Sequence, residues 1–262
     1  MKRQFFIFLL LLCMCRAFGQ AESEAFRNKK LHDAALANAE VKDMFHQYSF
    51  AKLFTQTDNS VVYGFAGINY QRLRIKFMSV KQSKVANSYM VYGKSMVKGN
   101  ICEFHGRIDV KKIRKYKETS YGLDDKYKNA GLKGQFIIIG DYMFDEDPKQ
   151  KYSGVFKGVF AAEFYLDKNG DVHYDDIDLN ADGFTNNEFV GTWTAYGSKT
   201  SKRANWGDFR IPNSGDLDIG AGDFSPAGKY LKYGWQSCRD IMNQRSPGYK
   251  KAKQIEEAKW WL

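Results

Sequence analysis

YQRLRIKFMSV, residues 70–80, is the stretch that decides the fold. Leu73, Ile75 and Phe77 alternate with Arg72, Arg74 and Lys76. Successive side chains of an extended backbone point to opposite faces, so this alternation predicts a half-buried strand with a basic outer face. ICEFHGRIDV, residues 101–110, repeats the pattern. Ile101, Phe104, Ile108 and Val110 carry much of its apolar pattern, and Glu103, His105, Arg107 and Asp109 share the opposite face. QFIIIGDYMF, residues 135–144, predicts a continuous apolar strand. Further strands are expected at 154–167, 171–177, 189–196 and 204–211, several of them bounded by Gly, Asn or Asp.

The sharpest local signal is EFYLDKNGDVHYDD, residues 163–176, a predicted hairpin in which Asn169 and Gly170 supply the positive-φ residues of a tight turn. Short strands with frequent turns predict a mainly β protein, an antiparallel barrel or sandwich. Both flanks differ from this middle. Upstream, Leu31, Ala35, Asn38, Val41, Phe45 and Tyr48 recur at intervals of three or four and predict a helical segment. Downstream, KKAKQIEEAKWWL (250–262) lacks Pro and Gly and predicts a short amphipathic helix with Ile255 and Trp260 among its apolar residues. A helical tail argues against an outer-membrane barrel, which carries strands to its end. The expected layout is a leader over 1–19, a helical segment over 20–59, one antiparallel β domain over 60–245 and a helical tail over 246–262.

The leader rests on Lys2 and Arg3, an apolar run from Phe5 to Cys15, and small residues at Ala17 and Gly19. Those are the three parts of a secretory signal peptide cleaved before Gln20. The run is shorter than the roughly 20 residues needed to cross a bilayer as a helix, and no later stretch is long enough, so no transmembrane span is expected. Leu12 and Met14 are larger than the small residue that precedes a lipidated cysteine. Export is therefore predicted, to the periplasm or beyond it. Losing Lys2, Arg3 and Arg16 lowers the formal charge from +10 to +7. Of four cysteines only Cys102 and Cys238 remain, and in an oxidising compartment they predict either one disulfide or two buried free thiols.

Several clusters could carry chemistry. Asp167, Asp171, Asp175, Asp176, Asp178 and Asp182 crowd a short stretch. Two registers within it resemble a calcium loop: Asp167, Asn169 and Asp171 with Asp178, and Asp178, Asn180 and Asp182 with Glu188. Calcium is the cofactor these residues suggest, and a solvated acidic loop is the other reading. His173 alternates with Asp171 and Asp175, an arrangement that could serve a general base. The basic run of Lys111, Lys112, Arg114, Lys115 and Lys117 suits anionic lipid A or an acidic polysaccharide, or else is a solvated surface. Gly220 and Gly222 lack the lysine and helix start of a phosphate loop.

The aromatic final third offers the most plausible binding surface: Trp193, Tyr196, Trp206 and Trp235, with Asn205, Asp208 and Arg210 beside them. Sugar rings stack on indole faces while amides, carboxylates and Arg bind hydroxyls. The same residues also serve as core.

VGTWTAYGSKTSKRANWGDFRIPNSGDLDIGAGDFSP, residues 190–226, with the hairpin before it, resembles uncharacterised exported β-rich proteins of Bacteroidota. That resemblance implies a bacterial envelope or secreted setting and carries no activity with it. Gly191-Thr192-Trp193 is also similar to the Gly-x-Trp of lipocalin-like barrels, which there lies near the first strand and here comes late.

The function expected from the sequence is that of an exported, non-enzymatic β protein binding a glycan, a small ligand or an envelope component. Two alternatives stand beside it: a hydrolase acting on envelope or dietary polysaccharide, and a structural or host-interaction protein without a small ligand. Export makes nucleic acid an unexpected partner.

Overall fold

The structure, a computed structural model, describes residues 21–123 and 125–262, so the expected leader with Cys13 and Cys15 lies outside the described residues. Helix α1 (residues 21–31) comes first, followed by strand β1 (Leu36–Glu40) and short 3-10 turns at Lys42–Phe45, Ala51–Phe54 and Asn59–Val61. Strands then succeed one another: β2 (Val62–Ala66), β3 (Gln71–Gln82), β4 (Ser88–Val97), β5 (Asn100–Tyr116), β6 (Gly134–Glu146), β7 (Gly154–Leu166), β8 (Val172–Tyr174), β9 (Asn186–Ala195) and β10 (Ser201–Asp208). Helices α2 (Gln236–Ile241) and α3 (Tyr249–Glu257) follow.

Every pairing is antiparallel, and the order β5-β4-β3-β2-β10-β9-β7-β6 returns to β5. The expected barrel is therefore a closed one of eight strands, with β1 and β8 attached outside the ring. Closure pairs every strand of the ring on both sides. An eight-stranded barrel is just wide enough for side chains to fill it or for one small ligand. Here side chains fill it. Phe77, Phe104, Tyr142, Phe144, Phe156, Phe160, Phe189 and Trp206 meet across the axis, with Phe189 stacked on Trp206 at 4.7 Å and 10°. Phe45, Phe50, Leu53 and Phe54, from the turns before β2, plug one end. Gly191 of the GTW segment makes room for this packing, since a Cβ there would lie 2.3 Å from the Tyr142 hydroxyl oxygen.

The outer wall is covered in two places. Helix α1 lays Phe26 over Ile137, Ile139, Val159, Ala161 and Val190, which explains why β6 reads as apolar in both phases: Phe136 and Ile138 face the axis, Ile137 and Ile139 the helix. Elsewhere on the wall, the chain after β10 packs Ile211, Leu217, Phe224, Trp235 and Cys238 against Phe65 of β2.

Three expectations need correction, and one that was open between two readings is decided. The helix period over Leu31–Tyr48 breaks after α1: residues 36–40 are a strand and the rest 3-10 turns, because Phe45 and Phe50 are used as the barrel plug. The basic face of β3 is not solvated, since α3 covers Arg72 and Arg74 and leaves each only 8% exposed. In the 167–171 turn only Gly170 has positive φ (91°), and Asp167 Oδ1 accepts from the Asn169 and Asp171 amides at 2.9 Å each, a side-chain-braced turn in place of a two-residue one. Cys102 and Cys238 are both buried and free: Cys102 sits at the end of the barrel opposite the plug, beside Asn100 and Lys151, and Cys238 lies outside the wall on α2.

Candidate functional site

The residues expected to form one aromatic surface are dispersed. Trp206 is 2% exposed in the barrel core. Trp193 and Tyr196 do come together, at the end opposite the plug, around Glu146 of β6. The Trp193 indole nitrogen donates to Glu146 Oε2 at 2.9 Å, and the Tyr196 hydroxyl donates to the Glu146 carbonyl at 2.6 Å. Ser95 Oγ and the Gly154 amide donate to the same carboxylate, whose pKa burial raises and these donors pull back only in part. Trp235 lies outside the wall, fully buried, its indole nitrogen 2.7 Å from the Tyr70 carbonyl.

The polar members of that set are occupied by the fold. Asn205 bridges Glu22 of α1 (3.0 Å) and the Gly191 amide (3.1 Å). Arg210 binds Asp218 at 2.7 Å and the carbonyls of Gly220, Ala221 and Gly222, tying the loop after β10 to itself. That carbonyl clamp accounts for the glycine-rich stretch. Asp208 is buried at the plugged end of the barrel and hydrogen-bonded to Thr57, Tyr174 and Asn187.

The calcium registers do not close. Asp178 accepts from Ser120 Oγ at 2.9 Å, Asn180 and Asp182 are exposed, and Glu188 is buried beneath α1 in an ion pair with Lys30. Among the described residues no three carboxylate, imidazole or thiol groups converge on a point that could hold a metal. Nor do Asp171, His173 and Asp175 form a catalytic group. His173 is exposed on β8, stacked on Tyr165 and 3.3 Å from Asp167, while Asp175 is buried and accepts from Gln135 Nε2 at 2.7 Å. His105 is likewise exposed on the outer wall, stacked on Tyr92 at 4.9 Å.

A different feature is concave. Where α1 ends and β1 joins the far half of β5, a groove of about 540 Å³ opens, lined by His32, Asp33, Asn38, Glu40, Lys112, Arg114 and Lys117 with Leu31 and Leu36 at its base. Its volume lies within the usual range of ligand sites, about 300–1,000 Å³. The groove exists because β1 pairs irregularly with β5: Leu36 faces Tyr116, whereas Glu40, four residues on, faces Arg114. The surplus residues bow outward, and the carbonyl of Ala37 turns to the Arg114 guanidinium (2.8 and 2.5 Å). Lys117 Nζ reaches the Ala34 carbonyl at 2.7 Å. Both cations thus rest on neutral carbonyls, which leave their charge uncancelled. Lys112 pairs with Glu40 at 3.4 Å, across an exposed rim.

The basic run of β5 was visible in the sequence as a candidate for anionic partners. The strand opposite it was not, because residues 31–48 read as helix, so Asn38 and Glu40 were missed. Comparison of the chain with protein-family models, with curated proteins and with solved structures finds no match. Its class is accordingly stated from the fold alone: a closed, aromatic-filled eight-stranded barrel, clad on two sides, with a polar groove on its outer wall. Among the described residues no helix is long and apolar enough to cross a membrane.

Proposed function

We propose that this is an exported, non-enzymatic binding protein that holds an acidic glycan, or another anionic envelope component, in the groove between α1, β1 and β5. The observation that carries the reading is the pairing of Arg114 and Lys117 with backbone carbonyls inside a ligand-sized groove. Two cations so oriented have donors left for a carboxylate or phosphate, and Asn38 and His32 supply further polar groups for hydroxyls. The filled barrel supports the same placement, because its axis is occupied by Phe and Trp rings. The acids Asp33 and Glu40 on the same walls favour a ligand that also presents hydroxyl donors, as a uronic acid does, over bare phosphate.

The test is a thermal-shift screen of the processed chain against acidic oligosaccharides, their neutral counterparts and inorganic phosphate. A ligand that prefers the folded state raises the apparent Tm. A saturable rise with the acidic sugars, weakened by salt, supports the reading; a rise with neutral sugars alone overturns it.

A further inference from the structure

The plugged end of the barrel holds a second, much smaller cavity of about 30 Å³, lined by Asn59, Asn187 and Asp208 among Ile75, Phe77, Phe189 and Trp206. A space of this size admits one or two water-sized species, given the roughly 10–15 Å³ that each needs.

Beside Thr55, Thr57 and Lys76, its polar lining carries three side-chain oxygens of Asn59, Asn187 and Asp208 that accept from no donor among the described residues. Thr57 Oγ1 (2.7 Å), the Tyr174 hydroxyl (3.0 Å) and Asn187 Nδ2 (2.8 Å) all donate to the same oxygen of Asp208, Oδ2. Among the described residues none donates to Oδ1, and none forms an ion pair with this carboxylate. The amide of Asn187 is fixed in orientation, because its Nδ2 also donates to the Leu53 carbonyl at 2.8 Å. Its Oδ1 is buried without a partner, and the residue is only 4% exposed. Asn59 is fixed in the same way by the bond from its Nδ2 to the Ile75 carbonyl (3.1 Å), and its Oδ1 is likewise buried and unpartnered. A buried acceptor without a donor costs about 1–3 kcal/mol, and two of them line this cavity.

The backbone is shaped to present Asn187. Between Phe189 and Asn186 the register with β10 slips, and Asn187 takes φ 45°. A bulge of this kind re-aims a side chain.

We propose that this cavity binds a single small monovalent cation, ammonium, potassium or sodium, between Asp208 Oδ1, Asn187 Oδ1 and Asn59 Oδ1. Three oxygens, one of them anionic, line this space, and a monovalent cation there would take them as part of its coordination shell. A divalent ion calls for more carboxylates, and Lys76, which also lines the cavity, opposes a second positive charge. The Lys76 ammonium lies over the Trp261 ring at 5.2 Å and does not itself pair with the carboxylate. The Asp208 carboxylate is ionised at pH 7.5 without any bound ion and so is available to one. Burial raises the Asp208 carboxyl, and the bonds from Thr57, Asn187 and Tyr174 and the charge of Lys76 offset this only in part, leaving it pushed up to about 6.

Two measurements on the whole processed chain test this. The first is Tm at pH 7.5 in sodium, potassium, ammonium and choline chlorides of equal ionic strength. At ten times its Kd, a bound ion raises Tm by roughly 3–5 °C over choline, and Asp208→Asn abolishes the difference. The second is a crystal of the wild-type protein soaked in rubidium chloride, in which an anomalous peak is expected between Asn59, Asn187 and Asp208. The crystal does not depend on how the variant folds. Equal Tm in all four salts, or ordered water without anomalous signal at that position, overturns the proposal.

Discussion

Glu163 lies on the outer face of β7, where α1 covers the wall. The Tyr116 hydroxyl donates to it at 2.9 Å, and Lys30, Glu188 and Asp175 are its charged neighbours. Burial pushes its carboxyl up to about 7, with Lys30 and Tyr116 pulling down and Glu188 and Asp175 adding to the rise. An acid whose pKa is raised in the folded state favours folding when protonated. Its contribution is therefore fully present below the unfolded value of about 4.5 and is lost as pH climbs through about 7. A difference of about 2.5 pKa units is worth at most about 3 kcal/mol, at 1.36 kcal/mol each. Glu163→Gln removes that titration while keeping the volume. Urea unfolding of wild type and variant at intervals from pH 4.5 to 8 should show the variant gaining up to about 3 kcal/mol relative to wild type across that range. Asp208, pushed up to about 6 mainly by burial, shapes both curves alike and cancels in the difference, whereas Asp175, which couples to Glu163, belongs to the same effect. Parallel curves for the two proteins would refute the reasoning, since Glu163 would then titrate equally in the folded and unfolded chains.

The remaining predictions concern the tail, the core and the thiols. Glu256 accepts two bonds of 2.6 Å from Arg72 and one of 2.7 Å from Arg74, and the shared carboxylate fastens α3 to the wall. Burial raises its pKa, but the two guanidiniums bring it below the ordinary range. Glu256→Gln leaves two buried guanidiniums without a carboxylate and should cost about 3–5 kcal/mol in urea unfolding, with cleavage by limited proteolysis appearing first after residue 246. Phe189 contacts Phe77, Tyr142, Phe160 and Trp206 at the barrel centre; Phe189→Ala should cost about 3–5 kcal/mol through the cavity it opens. Unreduced protein expressed from Gln20 onward should yield thiols from both Cys102 and Cys238 on denaturation and react slowly when native, because burial raises each to about 11.

The β architecture was legible because alternation is a direct imprint of a sheet with one buried face. Leu73, Ile75 and Phe77 do point into the barrel, and ICEFHGRIDV does lay Glu103, His105, Arg107 and Asp109 outside. Closure was not legible, since no local pattern in β5 and β6 announces that they pair across the seam. The outer cladding and the plug each misled. Arg72 and Arg74 alternate as a wet face would, yet their partner Glu256 comes from the far end of the chain. Phe45 recurs with Val41 and Tyr48 at helical spacing, yet it enters the barrel with Phe50 as a plug, because the large apolar surface of the open end outweighs the small propensity of a short segment for helix. The aromatic third was correctly seen as rich in Trp and Tyr, but composition does not distinguish a lined pocket from a packed axis. The groove needed two strands, and only its basic side had a signal in the sequence.

The central claim is that Lys112, Arg114 and Lys117 present an anion-binding groove, and calorimetric titration with oligogalacturonate tests it most directly. The wild-type chain expressed from Gln20 onward should bind saturably at low salt. Lys112→Gln with Lys117→Gln should weaken binding by up to roughly thirtyfold, as the loss of two partly exposed charge contacts of up to about 1 kcal/mol each implies, and maltohexaose should give no heat. Oligogalacturonate affinity unchanged by the double substitution, or absent altogether, would contradict the account.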